Sequence, residues 1–103
     1  MYHILYKTTN NKTGEYYVGV HSTSNLKDGY LGSGKKLVEA VQKHGRTAFS
    51  RTILSIHDNR LELQKAEMDY VSQDLLNDPL CLNIELGGGS EFERTLIRSL
   101  QKV

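Results

Sequence analysis

The chain has 103 residues, enough for one domain with a modest core, and no apolar run or signal-peptide pattern that would make it a membrane or secreted protein. Cys81 is the only cysteine, which excludes an internal disulfide or a cysteine-rich zinc site and fits a reducing, cytoplasmic setting. The net charge of +1 excludes a grip on nucleic acid by bulk charge, although residues 1–54 hold eight Lys/Arg against three Asp/Glu (+5) and residues 55–103 five against nine (−4).

A β-hairpin opens the chain. Tyr2-His3-Ile4-Leu5-Tyr6-Lys7 and Glu15-Tyr16-Tyr17-Val18-Gly19-Val20-His21 read as its strands, with the polar run Thr8 to Gly14 as the turn. Pairing Tyr6 with Tyr17 puts Tyr2, Ile4, Tyr6, Tyr17, Gly19 and His21 on one face. The other face carries Leu5, Tyr16, Val18 and Val20, an ordinary packing set. Tyrosines in strands commonly serve packing alone, but a face of phenol, imidazole and bare backbone also suits a reactive site.

After a polar connection, Leu31-Gly32-Ser33-Gly34-Lys35-Lys36 opens a helix that reaches His44 and stops at Gly45, with Leu37, Val38, Ala40 and Val41 as its apolar stripe. The third strand runs from Phe49 to His57, with Phe49, Arg51, Ile53, Ser55 and His57 alternating against Thr52, Leu54 and Ile56. Asn59 and Glu62 form a capping box for a second helix that continues to Leu76, before Asn77-Asp78-Pro79 breaks it. An extended piece, Leu80 to Leu86, leads to Gly87-Gly88-Gly89. Ser90 to Val103 reads as a short amphipathic helix. Its junction, Gly-Ser-Glu-Phe at 89–92, matches what two common cloning sites encode, so the tail is read as vector-derived and the domain as residues 1–89.

The second helix places a carboxylate on its packing face. Leu63, Ala66, Tyr70 and Val71 mark the core stripe, and Glu67 falls at the i+4 position within it. A buried carboxylate is costly without compensation. Either Glu67 sits at the stripe's edge and reaches solvent, Lys65 or Lys36, or it lies in a cleft and holds a divalent cation with water and phosphate. A cation on Glu67 facing Tyr6 and Tyr17 suits phosphodiester hydrolysis: the metal steadies charge on phosphate and leaving oxygen, and a phenol activates water.

These residues resemble the GIY-YIG nuclease family. Its first motif corresponds to Ile4-Leu5-Tyr6, without the glycine, and its second to Tyr17-Val18-Gly19. Glu67 falls where the family keeps its metal-binding glutamate, and Asn83 in Leu82-Asn83-Ile84 looks like its late asparagine. Lys43-His44-Gly45 with the aromatic that follows, and Arg51-Thr52-Ile53-Leu54, look like stand-alone or intron-associated phage members and homing endonucleases. The resemblance covers residues 1–89.

It implies a small α+β domain, a three-stranded antiparallel sheet flanked by helices, that cuts DNA with one Mg2+ or Mn2+ ion on Glu67. The family arginine after the second motif has no counterpart here, and His21 and Lys36 are expected to take its cationic role, with Lys35 in reserve. Gly32-Ser33-Gly34 could present backbone N–H groups to a phosphate. Ser33, Lys35, Arg51 and Asn83 are expected on the DNA side, with Asn83 ordering the site, whereas His3, His44 and His57 read as structural or surface histidines. The implied protein is a cytoplasmic endonuclease or nickase of a bacterial or phage-infected cell, monomeric or weakly dimeric and able to pair on DNA. The rival readings are a catalytically degenerate DNA-binding module of the same fold and a protein-interaction domain with an acidic face.

Overall fold

In the computed structural model, which describes residues 1–87, the strands β1 (Tyr2–Asn10), β2 (Tyr16–Thr23) and β3 (Phe49–His57) form one antiparallel sheet in the order β2-β1-β3. Helices α1 (Lys35–His44), α2 (Arg60–Tyr70) and α3 (Gln73–Leu76) flank it. A 3-10 turn, Arg46–Ala48, leads into β3. The α+β class expected from the sequence is borne out. The expected helix from Ser90 to Val103 lies outside the described residues.

The hairpin strands are longer than their apolar residues suggest. Thr8 and Asn10 are buried within β1, and the Thr8 hydroxyl donates to the Leu31 carbonyl at 2.6 Å. Paired in this way, a polar β-branched residue sits inside a strand without an unsatisfied hydroxyl. The turn narrows accordingly, closed by Asn10 N–H to Glu15 O and Gly14 N–H to Asn10 O, both 2.8 Å. Register moves with it: Tyr6 opposes Gly19, and Tyr17 opposes Thr8, which corrects the expected Tyr6–Tyr17 pair. A slip of two residues leaves each side chain on its expected face, because the pleat repeats every two.

The third strand departs from simple alternation. Tyr6 pairs with Ile53 but Leu5 with Ser55, so Leu54 is an extra residue in a β-bulge. Beyond it the faces exchange. Arg51 and Ile53 share the Tyr6 side, whereas Ser55 and His57 lie on the Leu5 side, where the Ser55 hydroxyl and His57 Nε2 are 2.7 Å apart.

Each face of the sheet has its own apolar cluster. Leu5, Tyr16 and Val18 pack with Leu63 and Val71 at the α2 side. Leu37 of α1 packs with Ala48, Phe49 and Leu82 on the phenol side. Two stripe positions read from the sequence face outward: Val38 and Tyr70 are exposed. The second helix also ends earlier than expected. Ser72 accepts a hydrogen bond from Leu75 N–H and caps a separate helix, α3, so a capping residue interrupts the apolar periodicity.

Segment 80–83 runs beside β2. Tyr16 N–H donates to Leu80 O at 2.9 Å and Leu82 N–H to Tyr16 O at 2.7 Å. Asn83 continues the ladder with its side chain, accepting from Val18 N–H and donating to Val18 O, each at 2.8 Å. The first part of the open edge of β2, residues 16–18, is thereby covered.

Candidate active site

The connection from β2 to β3 must cross the sheet, because those strands lie on opposite sides of β1. It crosses on the phenol face and lays Tyr30, Gly32 and Gly34 over Tyr6 and Tyr17. The contact is close. A Cβ on Gly34 would lie 2.5 Å from a Tyr17 ring carbon, and one on Gly19 would lie 2.5 Å from the Tyr6 hydroxyl oxygen. These glycines are therefore needed for backbone-to-ring approach as well as for a flexible helix entry.

Tyr17, Gly34, Lys35, Glu67, Asn83 and Glu85 share the walls of a cavity of about 340 Å³ with apolar residues of segment 82–87. It wraps around the outer edge of β2. The α2 helix packs on the Leu5 face and α1 on the Tyr6 face, yet both reach this cavity. Glu67 thus approaches Tyr17 around the edge of the sheet, instead of standing above the phenol face as the sequence suggested. Glu67 is partly buried, and its carbonyl accepts from Val71 N–H at 2.8 Å where α2 ends. Gly87 N–H donates to Val71 O at 2.9 Å, and a Cβ on Gly87 would collide with the Glu67 carbonyl. The loop after Asn83 is thus packed against the backbone that carries the carboxylate.

Electrostatics link the two groups. Burial raises the Tyr17 hydroxyl above the ordinary tyrosine value, and the neighbouring Glu67 carboxylate, then Tyr30 and Glu85, add to the shift. Negative charge nearby disfavours a phenolate.

Tyr6 is placed differently. It is 1% exposed and is not among the described residues lining the cavity. Its ring lies behind Tyr17, with centroids 6.4 Å apart, and meets Tyr30 edge-on at 6.0 Å. Burial, then Tyr17 and Tyr30, hold its hydroxyl far above the ordinary range. Tyr6 is thus a supporting phenol beneath the one that reaches the cavity.

His21 turns to the same face but engages the loop. Its Nε2 is 2.7 Å from Asp28 Oδ2, and its ring stacks on Tyr30 with centroids 4.1 Å apart. Arg51, expected on the DNA side, points inward: it donates to Leu26 O at 2.6 Å, Tyr30 O at 2.8 Å and Asp28 Oδ1 at 3.1 Å. Both lysines are exposed; Lys35 lines the cavity, whereas Lys36 is outside the described lining. Ser33 is exposed at the start of α1.

Three participants were missed from sequence: Tyr30, Asp28 and Glu85. The first two stand in a polar loop with no periodicity to mark them. Asp28-Gly29 does signal a tight turn, and Tyr30 N–H donates to Asp28 Oδ1 at 3.0 Å. That bond, followed by His21, holds the Asp28 carboxyl well below the usual range.

The donor set suits one kind of cation. Among the described residues no group of three or more His, Cys, Asp or Glu converges, so an all-protein cage of the calcium or zinc type is not formed there. Two acidic residues, Glu67 and Glu85, line the cavity beside Lys35, a sparse oxygen set of the kind magnesium completes with water and phosphate oxygens. Among the described residues no helix is long and apolar enough to cross a membrane.

Against known proteins, the chain is 44% identical over 97 residues to Putative endonuclease segB of Enterobacteria phage T4, covering 94% of this chain and 44% of that protein. It is 42% identical over 88 residues to Putative endonuclease segE of the same phage, covering 85% and 43%. It is 38% identical over 87 residues to Endonuclease segA, also of phage T4, covering 84% and 39%. The chain therefore spans less than half the length of these relatives. The first match is longer than 89 residues, so it takes in part of the stretch read as an appended tail. No protein-family model and no solved structure matches the chain.

Proposed function

We propose that this chain is the catalytic portion of a magnesium- or manganese-dependent DNA endonuclease of GIY-YIG type that nicks one strand per encounter. The observation that carries the reading is a single cavity shared by the Tyr17 phenol, the Glu67 carboxylate and the Lys35 ammonium. Its 38–44% identity to proteins named as phage endonucleases supports the same class of reaction.

Glu67 is the residue to hold the cation, whose charge would oppose the pull of Glu67 on Tyr17 and steady the phosphate and its leaving oxygen. Tyr17 orients the attacking water and, in its phenolate form, accepts its proton. Lys35, with the N–H groups at the start of α1, receives a non-bridging phosphate oxygen. Asn83 fixes β2 at Val18, next to Tyr17, and so holds the phenol in place.

Supercoiled plasmid incubated with magnesium provides the test. Wild-type protein is expected to yield open circles, Glu67→Gln to yield none, and Tyr17→Phe to lose roughly 10²–10⁴-fold in rate. The rate is expected to rise from neutral to mildly alkaline pH, because the phenolate fraction grows while pH remains below the raised Tyr17 value. Equal nicking by the wild type and Glu67→Gln, or DNA binding without cleavage by the wild type, would sink the assignment; the latter outcome would make the chain a binding module.

A further inference from the structure

The buried Arg51 side chain ties the 26–30 loop to the sheet, and what it holds there is the His21 end of the phenol face. Arg51 rises from β3 opposite Thr8. Its side chain is only 9% exposed. Its guanidinium reaches two backbone carbonyls, those of Leu26 and Tyr30, and the Asp28 carboxylate, and lies 5.9 Å from the centre of the Tyr6 ring. The other oxygen of that carboxylate meets His21, and Tyr30 is clasped between the stacked imidazole and the edge of Tyr6.

We infer that Arg51 is a positioning residue which, through Asp28, sets the imidazole of His21 and the phenol of Tyr30 against Tyr6, the ring that backs Tyr17 of the proposed active site. This deepens the nuclease reading and rests on it for its catalytic consequence. The geometry selects arginine. Three acceptors spread across a loop require a planar fork, which a lysine ammonium cannot supply from one position. Burial makes the clamp stiff, because releasing an acceptor would leave a nearly buried guanidinium N–H without its partner. The β-bulge after Ile53 also matters: Arg51 precedes it and keeps the Tyr6 side, whereas the residues beyond it exchange faces.

The inference separates cleanly from a DNA-contact role for the same residue. A positioning arginine acts on the chemical step, whereas a phosphate contact acts on binding and its salt dependence. In plasmid nicking with magnesium, Arg51→Ala is expected to lower kcat on the order of 10²-fold, the cost of a Tyr17 phenol left misplaced when the rings behind it shift, with KM for DNA and its salt slope unchanged. Arg51→Lys should fall in the same direction. Should Arg51→Ala fail to fold, Arg51→Lys and Asp28→Asn carry the test.

A readout independent of activity is the ring-current displacement of the His21 ring-proton NMR signals, which the Tyr30 stack produces. It should be present in the wild type and lost in Asp28→Asn and Arg51→Lys. A raised KM with the salt slope reduced by about one and kcat kept would overturn the inference in favour of a phosphate contact. Unchanged kcat with unchanged His21 signals would overturn it outright. If the wild type cuts nothing, the nuclease reading fails, and the clamp stands or falls on the NMR signature alone.

Discussion

Gly19 stands opposite Tyr6 in the sheet, and the missing side chain there is what lets the ring lie flat over β2. A methyl group would come within 2.7 Å of Tyr6 Cζ and 2.8 Å of a Tyr17 ring carbon. Neither ring can retreat, since the crossing loop covers both. Gly19→Ala is expected to destabilise the protein by about 1–3 kcal/mol, the usual cost of overpacking a filled core. Urea unfolding would measure it, and a midpoint unchanged from wild type would show that the rings have room to shift. The reason for the Tyr-Val-Gly triplet is thus steric: the tyrosine fills the cavity wall, the valine packs toward α2, and the glycine admits a second phenol. Arg51 and Asn83 show the complementary case, polar side chains that hydrogen-bond backbone groups of another segment.

Among the elements, the breaks in periodicity are as informative as the periodic runs. Asn59 caps α2 by accepting from Glu62 N–H at 2.9 Å, as its spacing predicts. Glu62 itself accepts from Lys65 at 3.2 Å. Ser72 caps α3 by the same chemistry, at 3.4 Å from Leu75 N, and a continuous amphipathic pattern concealed it. Ser72→Ala is expected to cost about 1 kcal/mol and to loosen Leu75 and Leu76, which pack against the α2-side cluster. Chemical denaturation gives the size of the effect, and amide hydrogen exchange locates it at 73–76. Uniform loss of protection along α2 and α3 would mean that the two behave as one helix. At the other end of α1, Gly45 adopts φ 83°, a conformation that ends a helix without strain only for glycine.

For the molecule as a whole, buried phenols set the response to pH. Tyr6, Tyr16 and Tyr17 all have hydroxyls raised above the ordinary value of 10.0, each mainly by burial. A group whose folded value is raised adds stability that is complete below the unfolded value and is lost as pH rises toward the folded one. Asp28 and Asp78 are lowered, chiefly by backbone N–H groups of Tyr30 and Leu80; their contribution is present above the usual carboxylate value and is lost progressively as pH falls below it. The melting temperature is therefore expected to stay level across the neutral range and to fall above about pH 10. Thermal melts followed together with tyrosinate absorbance would check this. Ionisation of all six tyrosines near 10 without loss of structure would contradict the burial.

Much of the fold was legible because it depends on local chemistry. The alternation of Ile4, Tyr6, Tyr17 and Gly19, the Asn59 cap and the Gly45 stop are decided by residues close together in the chain. So is the placement of Glu67 on a helix, four residues beyond the buried Leu63. Chemistry could be read from these because a carboxylate on an apolar stripe is expensive wherever that stripe packs.

The sequence by itself thus determined the three strands, the presence of α1 and α2, and the face shared by Tyr6, Tyr17, Gly19 and His21, all consequences of periodicity and steric preference. It could not determine partners distant in the chain. The bulge at Leu54, the inward fork of Arg51, the clasp of His21 and Tyr30, and the meeting of Glu67 with Tyr17 around the edge of β2 depend on how the β2–β3 connection and segment 80–87 come to lie against the sheet. Only the tertiary structure decided those, because each rests on hydrogen bonds and ring contacts between segments whose separation in sequence carries no signal of their approach in space.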